Sequence, residues 1–320
     1  MPSEFSLIDR YFTRAAPSAV LGVGDDCALL APKAGMALAV STDMLVAGTH
    51  FYADTAPEDL GWKTLAVNVS DLAAMGATPR WATLALALPV ERADDEAWLK
   101  AFASGFFACA DAHGVALVGG DTTRGPLCFS VTVFGETPAG EALRRSGAQA
   151  GDDVWVSGSP GLAALGLAHL QGRCTLPDPA PCLAALHRPQ PRVALGLALR
   201  GLATACIDVS DGLLADLGHI LRQSSLAATL HLSSFPRTAF AACPDEALAH
   251  QCLLGGGDDY ELLFTAPVAQ RSTIETLSQH LGLPLHRLGS TRAGNVGELQ
   301  VLDPQGIAIT PASAGYDHFA

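Results

Sequence analysis

Strand-like and helix-like segments alternate through both halves of the chain, and this alternation limits the available folds more than any other feature. In the first half, short apolar runs predict strands at 36–42, 81–90, 115–118 and 129–135. Apolar residues at 3.6-residue spacing predict a helix that begins near Pro57 and ends before Gly76, and a second helix at 94–113. Mixed strand and helix of this kind is typical of α/β domains.

A polar, glycine-rich stretch at residues 137–153 predicts a boundary between two domains. The alternation resumes beyond it, with expected strands at 154–157 and 203–209 and expected helices at 161–170, 193–202 and 211–222. Five prolines at 174–191 predict a segment that is mostly extended or looped. Because 320 residues exceed one typical domain, we expect an N-terminal domain at 1–140 and a C-terminal α/β domain at 150–320. The predicted fold class is α/β, of the α+β type.

Composition and charge exclude several classes of protein. Apolar residues make up 49% of the chain and charged residues 16%, which suits a large core rather than disorder. The formal charge is −13 and the few lysines form no basic run, so nucleic acid is not expected as a partner. The apolar runs are shorter than a membrane span and no signal peptide is expected, which predicts a cytoplasmic protein with no membrane partner. Cysteines without a C-x-x-C pair favour neither a zinc site nor a disulfide framework.

Aspartates recur beside glycine or small hydroxyl residues where predicted elements end. They occur in Gly24-Asp25-Asp26, Ser41-Thr42-Asp43, Gly120-Asp121-Thr122, Asp208-Val209-Ser210-Asp211-Gly212 and Gly257-Asp258-Asp259-Tyr260-Glu261. Each segment taken singly is also consistent with an ordinary turn or helix cap. If they converged, the carboxylates would repel one another unless divalent cations neutralised them. Carboxylate and hydroxyl oxygens are ligands that suit Mg²⁺, which commonly shares its coordination with substrate phosphates.

Asp71 is the least ordinary of these acids, since it lies in an otherwise apolar helix with Asn68 three residues earlier on the same face. A buried, unpaired carboxylate is costly, so we expect a cation beside it. The sequence has no Walker A loop, dinucleotide fingerprint or protein-kinase signature. Bound metal ions nevertheless allow an acidic site to hold a polyphosphate, and phosphoryl transfer needs mainly positioning and charge neutralisation. The residues therefore predict a metal-rich nucleotide site.

Six segments stand in an order and at a spacing that together resemble a known family. They are Gly22-Val23-Gly24-Asp25-Asp26-Cys27-Ala28, Ser41-Thr42-Asp43, Asn68-Val69-Ser70-Asp71-Leu72-Ala73-Ala74-Met75-Gly76, Gly119-Gly120-Asp121-Thr122-Thr123, Asp208-Val209-Ser210-Asp211-Gly212-Leu213 and Gly315-Tyr316-Asp317-His318-Phe319. The chain resembles the thiamine-monophosphate kinase family, of the ATP-binding superfamily that includes aminoimidazole-ribonucleotide synthetase. The resemblance runs from about Phe5 to Phe319.

The resemblance implies ATP-dependent phosphorylation of thiamine monophosphate to thiamine diphosphate by direct in-line γ-phosphoryl transfer, with several Mg²⁺ ions. It implies an aminoimidazole-ribonucleotide-synthetase-like fold whose N-terminal domains pair in a homodimer, their strands forming a shared β-barrel. The Mg²⁺ ligands it implies are Asp26, Ser41, Thr42, Asp43, Asp71, Asp121, Asp208 and Asp211, of which Asp211 would lie nearest the transferred group. The ATP contacts it implies are Gly120, Asp121, Arg145 and Ser210. The substrate contacts it implies are His50, Asp258 and Tyr316.

One departure from the family pattern concerns the substrate segment. The family usually reads Gly-Gly-Glu-Asp-Tyr-Glu, whereas Asp258 stands here in place of the first Glu and is one methylene shorter. Two alternatives stay open, another acceptor within the superfamily and a nucleotide- or thiamine-diphosphate-binding sensor without turnover. The complete aspartate set argues against the sensor. No general base is assigned, because a substrate phosphate oxygen is already ionised near neutral pH.

Overall fold

The computed structural model describes residues 4–309 and 315–316. The chain divides into two compact units, the first formed by Met1–Leu72 with Ala77–Gly140 and the second by Ala73–Gly76 with Glu141–Ala320. Within the described residues, the helices are too short or too polar for any of them to cross a membrane.

The first unit is a mixed sheet covered by helices. Its helices are α1 (Glu4–Leu7), α2 (Pro57–Ala74), α3 (Val90–Ala93) and α4 (Glu96–His113), with a π-helical turn at Ile8–Phe12. Its strands are β1 (Met36–Val46), β2 (Thr78–Leu88), β3 (Ala116–Arg124) and β4 (Cys128–Pro138). The described strands lie in the order β1-β4-β2-β3 and do not close into a barrel. β4 runs antiparallel to both β1 and β2, and β3 runs parallel to β2.

Helix α4 covers the sheet through aromatic side chains. The Phe102 ring lies 4.8 Å from the Phe129 ring of β4, centroid to centroid, and both side chains are buried. Helix α2 crosses α4 at two glycines: a Cβ on Gly61 would overlap the backbone oxygen of Phe102, and one on Gly105 would overlap that of Glu58. The missing side chains let the two helix backbones approach directly.

Two strands of the first unit extend past the predicted ends, which corrects the expected positions of the polar segments. β1 pairs with β4 from Met36–Pro138 to Val46–Cys128, so Ser41-Thr42-Asp43 lies within the strand rather than after it. β3 likewise continues to Arg124 and includes Gly120-Asp121. The apolar runs stop where the polar residues begin, but backbone hydrogen bonding to the neighbouring strand does not depend on side-chain polarity. Helix α4 begins after Asp95, whose carboxylate accepts the Trp98 N–H at 2.9 Å.

The second unit contains a larger sheet with helices on both faces. Its strands are β5 (Asp153–Ser157), β6 (Ala205–Asp208), β7 (Ala227–His231), β8 (Leu262–Ala266), β9 (Leu285–Arg292), β10 (Leu299–Leu302) and β11 (Ala308–Ile309). Its helices are α5 (Leu162–Leu170), α6 (Ala180–His187), α7 (Val193–Leu199), α8 (Leu213–Ser224), α9 (Thr238–Ala242), α10 (Glu246–Gly255) and α11 (Arg271–Leu281). The described strands lie in the order β11-β10-β7-β9-β5-β8-β6.

Successive residues of β5 show that both faces of this sheet are covered. Val154 and Val156 pack in a cluster with Leu217 of α8, whereas Trp155 packs in a separate cluster with Ile274 of α11. All five β5 residues are buried. This is the pattern expected of a strand between two layers of helices, which carries apolar residues on both faces.

The proline-rich segment forms a helix where the sequence predicted mostly extended chain. Helix α6 occupies Ala180–His187, with Pro179 at its N-cap and Pro181 in its first turn. Proline is tolerated there because the first N–H groups of a helix have no intrahelical acceptor. The prediction counted prolines without their position relative to a helix start, and it was wrong for these eight residues.

Candidate active site

Two elements of the first unit bring polar side chains together. The Ser41 hydroxyl donates to Asp71 Oδ2 at 2.5 Å, and the Asp43 backbone N–H donates to Asn68 Oδ1 at 2.9 Å. Ser41 and Asp43 are two residues apart on β1, and Asn68 and Asp71 are three apart on α2, so each pair lies on one face of its element. Asn68 is oriented in turn by its Nδ2 group, which donates to the Thr64 carbonyl at 3.1 Å.

Other residues implied by the resemblance lie elsewhere on the first unit. Thr42 points to the opposite face of β1, where its hydroxyl lies 2.8 Å from that of Thr132. Asp121 is exposed on β3 and accepts the Thr122 N–H at 2.9 Å. Because β4 and β2 separate β1 from β3, the sheet of one chain does not place Asp121 beside Asp43.

Gly120 has a structural reason to be glycine. Its φ is +154°, and a Cβ there would overlap the Leu84 carbonyl of the neighbouring strand. The residue therefore serves the close approach of β3 to β2, whatever else it contacts.

The loops of the first unit place Asp26 and His50 in different settings. Asp26 is exposed, and its N–H donates to Asp25 Oδ1 at 2.9 Å in a local turn. His50 follows β1 and is half-buried, and its Nδ1 accepts the Val46 N–H at 3.0 Å. The strand end therefore holds the His50 ring as a hydrogen-bond acceptor through Nδ1.

The oxygen donors fit Mg²⁺ better than a metal that needs a complete protein cage. Within residues 4–309 and 315–316, no three His, Cys, Asp or Glu side chains are gathered as a ready-made metal centre. The candidate ligands on β1 and α2 are hydroxyl and carboxylate oxygens. Mg²⁺ is usually held by one or two carboxylates together with waters and substrate phosphates, which this donor set matches.

In the second unit, a loop between β6 and α8 is held by a buried acid. Asp208 ends β6, and Asp216 Oδ2 accepts the backbone N–H groups of Ser210, Asp211 and Gly212 at 3.1, 3.2 and 3.1 Å. The pKa of Asp216 is raised to about 6: burial is the main cause and the Asp211 charge adds to it, while the three N–H donors act in the opposite direction. Asp216 is not among the residues predicted from the sequence, although an acid among the apolar residues of α8 is the same signal that singled out Asp71.

The carbonyl groups of the same loop bind two distant segments. The Val209, Ser210 and Asp211 carbonyls accept the N–H groups of Tyr260, Asp258 and Tyr316 at 2.8, 2.8 and 2.9 Å. Asp258 and Tyr260 have positive φ values of +71° and +51°. The backbone thus gathers Ser210 and Asp211, implied to serve the nucleotide and metal, with Asp258 and Tyr316, implied to serve the substrate. Asp317, His318 and Phe319 lie outside the described residues.

The neighbours of Asp258 have structural partners of their own. Asp259 accepts the Gly161 N–H at 2.7 Å at the start of α5, and burial raises its pKa well above the usual range. Glu261 is buried and accepts from Arg192 Nε at 2.7 Å and from the Ser157 hydroxyl at 2.5 Å. Asp259 and Glu261 therefore stabilise the fold, whereas Asp258 is bound to the loop at 209–212 through its backbone N–H.

Arg145 is exposed and lies beside α8. Its carbonyl accepts the Ser224 hydroxyl at 3.5 Å. Burial, Arg222 and Arg145, in that order, lower the pKa of His219 on the same helix. The Arg145 guanidinium therefore lies close enough to α8 to affect the charge of His219.

Comparison with known proteins decides the family. Residues 24–137 match the family model described as AIR synthase related protein, N-terminal domain. The whole chain is 47% identical to the thiamine-monophosphate kinase of Salmonella typhimurium strain LT2, over 99% of this chain and 98% of that protein. The chain belongs to the thiamine-monophosphate kinase family. The family resemblance is therefore confirmed, and the protein is a thiamine-phosphate kinase.

Solved structures of this kinase family share the fold. The thiamine-monophosphate kinase of Stenotrophomonas maltophilia K279a is 48% identical with a TM-score of 0.86, covering 96% of this chain and 98% of that one. The structure titled AaThiL complexed with AMPPCP and TMP is 28% identical with a TM-score of 0.74, covering 98% and 97%. The predicted mixed α+β, AIR synthase-like fold is confirmed, whereas the barrel shared between two copies stays a prediction.

Proposed function

We propose that the protein transfers the γ-phosphoryl group of ATP directly to the phosphate of thiamine monophosphate, giving thiamine diphosphate and ADP, with Mg²⁺ as cofactor. The observation that carries this proposal is the loop at 209–212, which binds the Asp258 and Tyr316 segments through its carbonyls while it carries Ser210 and Asp211. A relative of 28% identity was solved with AMPPCP and TMP, which supports the same pair of substrates here.

The loop geometry supports a metal-dependent nucleotide site. The N–H groups at the start of a helix commonly bind phosphate directly. In the loop that leads into α8, the N–H groups of Ser210, Asp211 and Gly212 are already taken by Asp216. The loop therefore offers phosphates a hydroxyl and a carboxylate, and a carboxylate approaches a phosphate only through a cation.

The Mg²⁺ ligands in this proposal are the residues that the family resemblance implies. They are Asp26, Ser41, Thr42, Asp43, Asp71, Asp121, Asp208 and Asp211. When bound, Mg²⁺ supplies neutralisation of the phosphate charge that builds up as the phosphoryl group moves. The Ser41 hydroxyl and the Asn68 amide hold Asp71 and the Asp43 backbone in place before any ligand arrives.

Charged and aromatic side chains divide the remaining work. Arg145 pairs with ATP phosphate, because a guanidinium forms two parallel hydrogen bonds with such a group. Tyr316 is 54% exposed and offers its ring and hydroxyl to the thiamine rings. Asp258 and His50 complete the substrate contacts, with the Asp258 carboxylate suited to the positive charge of the thiazolium. The acceptor phosphate attacks in line as an anion, so the chain needs to orient it rather than deprotonate it.

We further propose that the protein acts as a homodimer through β1. Leu38, Val40 and Met44 alternate along this edge strand and are 42%, 55% and 56% exposed. A row of exposed apolar side chains on an edge strand is normally covered, because it otherwise promotes uncontrolled association. A second copy that pairs there forms the shared barrel which the family resemblance implies.

The test is a product assay with matched variants. Purified protein is incubated with ATP, Mg²⁺ and thiamine monophosphate, and the thiamine species are separated and detected by fluorescence after oxidation. We expect thiamine diphosphate with the wild type, none without Mg²⁺, and a rate lowered about 100-fold or more in Asp211→Asn. The control Asp245→Asn alters a carboxylate that caps α10 in the same unit and should leave the rate within about threefold.

Two results would contradict the proposal. ATP binding without diphosphate formation favours the sensor or another acceptor, and full activity in Asp211→Asn removes that residue from the metal site.

A further inference from the structure

An acid buried inside an apolar helix face is the starting observation. Asp216 is 2% exposed and packs on α8 among residues such as Leu213, Leu217 and Ile220, which belong to the core of the second unit. Burying a carboxylate is unfavourable unless its hydrogen bonds are satisfied. Here one oxygen, Oδ2, accepts three backbone N–H groups from the loop at 210–212.

The helix could not be capped in the ordinary way. The N-cap position of α8 is Gly212, which has no side chain to accept the first N–H groups. Its φ is +137°, and a Cβ there would lie 2.9 Å from the backbone carbon and oxygen of Gly255. Ser, Thr or Asn, the usual N-cap residues, are therefore excluded at 212 by packing. Asp216, one turn into the helix, instead binds back to the N–H groups of the three residues that precede α8, in the manner of the second partner of a capping box.

Each peptide group of the loop is bound on two edges. A planar peptide group joins the carbonyl of one residue to the N–H of the next. The three peptide groups of the loop are therefore Val209–Ser210, Ser210–Asp211 and Asp211–Gly212. On one edge, all three donate to Asp216. On the opposite edge, they accept from Tyr260, Asp258 and Tyr316. Because a peptide group is rigid, fixing its N–H also fixes the direction of its carbonyl.

We propose that Asp216 is a positioning residue that sets the orientation of three peptide groups and, through them, places the nucleotide and substrate residues of the kinase together. The inference rests on the proposed function, since that assigns Ser210 and Asp211 to ATP and Mg²⁺ and Asp258 and Tyr316 to thiamine monophosphate. Asp216 touches neither substrate. Without the Asp216 carboxylate the three peptide groups can rotate. Such a rotation moves Ser210 and Asp211 of the loop together with Asp258 and Tyr316, which are bound to its carbonyls.

A double effect on the two substrates distinguishes positioning from simple stability. We expect Asp216→Ala to raise KM about 10-fold or more for both ATP and thiamine monophosphate and to lower kcat, because all three acceptors are lost. Asp216→Asn keeps an oxygen acceptor without charge, so its effects on both KM values should be clearly smaller.

The matched control is Asp245→Ala. Asp245 also accepts backbone N–H groups at a helix start, those of Ala247 and Leu248, but it lies at the opposite end of α10 from the Gly255 junction. Its removal should lower the melting temperature while both KM values stay within about twofold. Asp216→Ala that is folded and shows unchanged KM values, or only the lowered melting temperature of the control, would overturn the inference.

Hydrogen–deuterium exchange provides a readout that needs no turnover. In Asp216→Asn the amides of Asp258 and Tyr316 should exchange faster than in the wild type, although residue 216 contacts neither amide. Unchanged exchange at both would overturn the inference even if Asp216→Ala fails to fold. If the wild type forms no thiamine diphosphate, the proposed function fails, and the exchange result still decides whether Asp216 holds the two segments.

Discussion

Three acidic side chains of the second unit are held by backbone N–H groups. Asp216 accepts three such groups, and Asp259 and Asp245 accept two each. Backbone dipoles are part of the fold and need no mobile counter-charge. These acids therefore fix loops and helix starts, so counting carboxylates overestimates the number available to a metal.

His113 should make the stability of the fold depend on pH. Its Nε2 has no hydrogen-bond partner within the described residues, its ring lies edge-on to Trp62 at 6.3 Å, and burial lowers its pKa. Because the unfolded chain binds a proton near pH 6.5 and the folded chain only at lower pH, this contribution to stability is complete above about pH 6.5 and declines below it. The melting temperature of the wild type should therefore fall more between about pH 7.5 and 5.5 than that of His113→Gln.

The control for this prediction is His280→Gln, which changes an exposed histidine in the last turn of α11. It should follow the wild-type pH profile. Equal slopes for His113→Gln and the wild type would show that the proton uptake of His113 does not affect folding.

Prediction from sequence succeeds at this scale where the signal is local. Asp71 is identifiable because an acid interrupts an apolar stripe, and the structure places it in hydrogen-bond contact with Ser41, which the sequence also indicated. Their role as metal ligands stays a prediction. The role of Asp216 is not identifiable in this way. It depends on the turn of the backbone at 210–212, which directs three N–H groups toward α8 and which helical periodicity does not reveal.

At the scale of elements, α2 and α4 are set by contact between backbones rather than between side chains. Gly61 faces the Phe102 carbonyl and Gly105 faces the Glu58 carbonyl. Since α2 carries Asn68 and Asp71 toward β1, the position of this helix also sets the distance across the polar group of the first unit.

Replacement of Gly105 by Ala tests this packing. The added methyl would overlap the Glu58 backbone, which cannot rotate away as a side chain can, so α2 and α4 must separate. We expect the free energy of unfolding to fall by about 3 kcal/mol, measured by urea denaturation. The neighbouring exposed Ser104→Ala should change it by less than about 0.5 kcal/mol. Similar values for the two variants would disprove direct backbone contact.

Element boundaries show why sequence prediction fell short at this scale. The interior of α2 was predictable from periodicity, but β1 and β3 continue through polar residues because neighbouring strands complete their hydrogen bonds. Helix α6 forms among prolines because two of them stand at its start. The first outcome depends on the neighbouring strands and the second on where the prolines stand relative to the helix start. The composition of a segment contains neither kind of information.

At the scale of the whole molecule, the boundary between the two units does not coincide with the end of an element, and the first unit has an exposed apolar row on its surface. Residues 73–76 belong to the second unit although 57–74 form one continuous helix, so helical periodicity does not reveal this change. The β1 face of the first unit carries exposed apolar side chains in a regular row. Side chains of β1 point alternately to the two faces of the sheet, so this row can be predicted from sequence only when it is known which face is buried.

The proposed dimer predicts the result of placing charge on that row. Val40→Lys with Met44→Lys should convert a dimer to a monomer in sedimentation analysis, because a lysine on each side cannot be buried against its counterpart in a second copy. The control Val268→Lys changes an equally exposed apolar residue of the second unit, 49% exposed, and should leave the assembly unchanged. A double variant that still sediments as the wild type would place the interface elsewhere.

Asp258 and Tyr316 are held in place by main-chain atoms. Each residue is therefore positioned by hydrogen bonds that do not involve its side chain. Their N–H groups, rather than their side chains, bind them to the Ser210 and Asp211 carbonyls. Under the proposed substrate role of these two residues, their side chains can be exchanged, and with them the preferred acceptor, without any change in the backbone hydrogen bonds that place them. The aspartate at 258, where the family pattern of the sequence analysis has glutamate, would be an exchange of this kind.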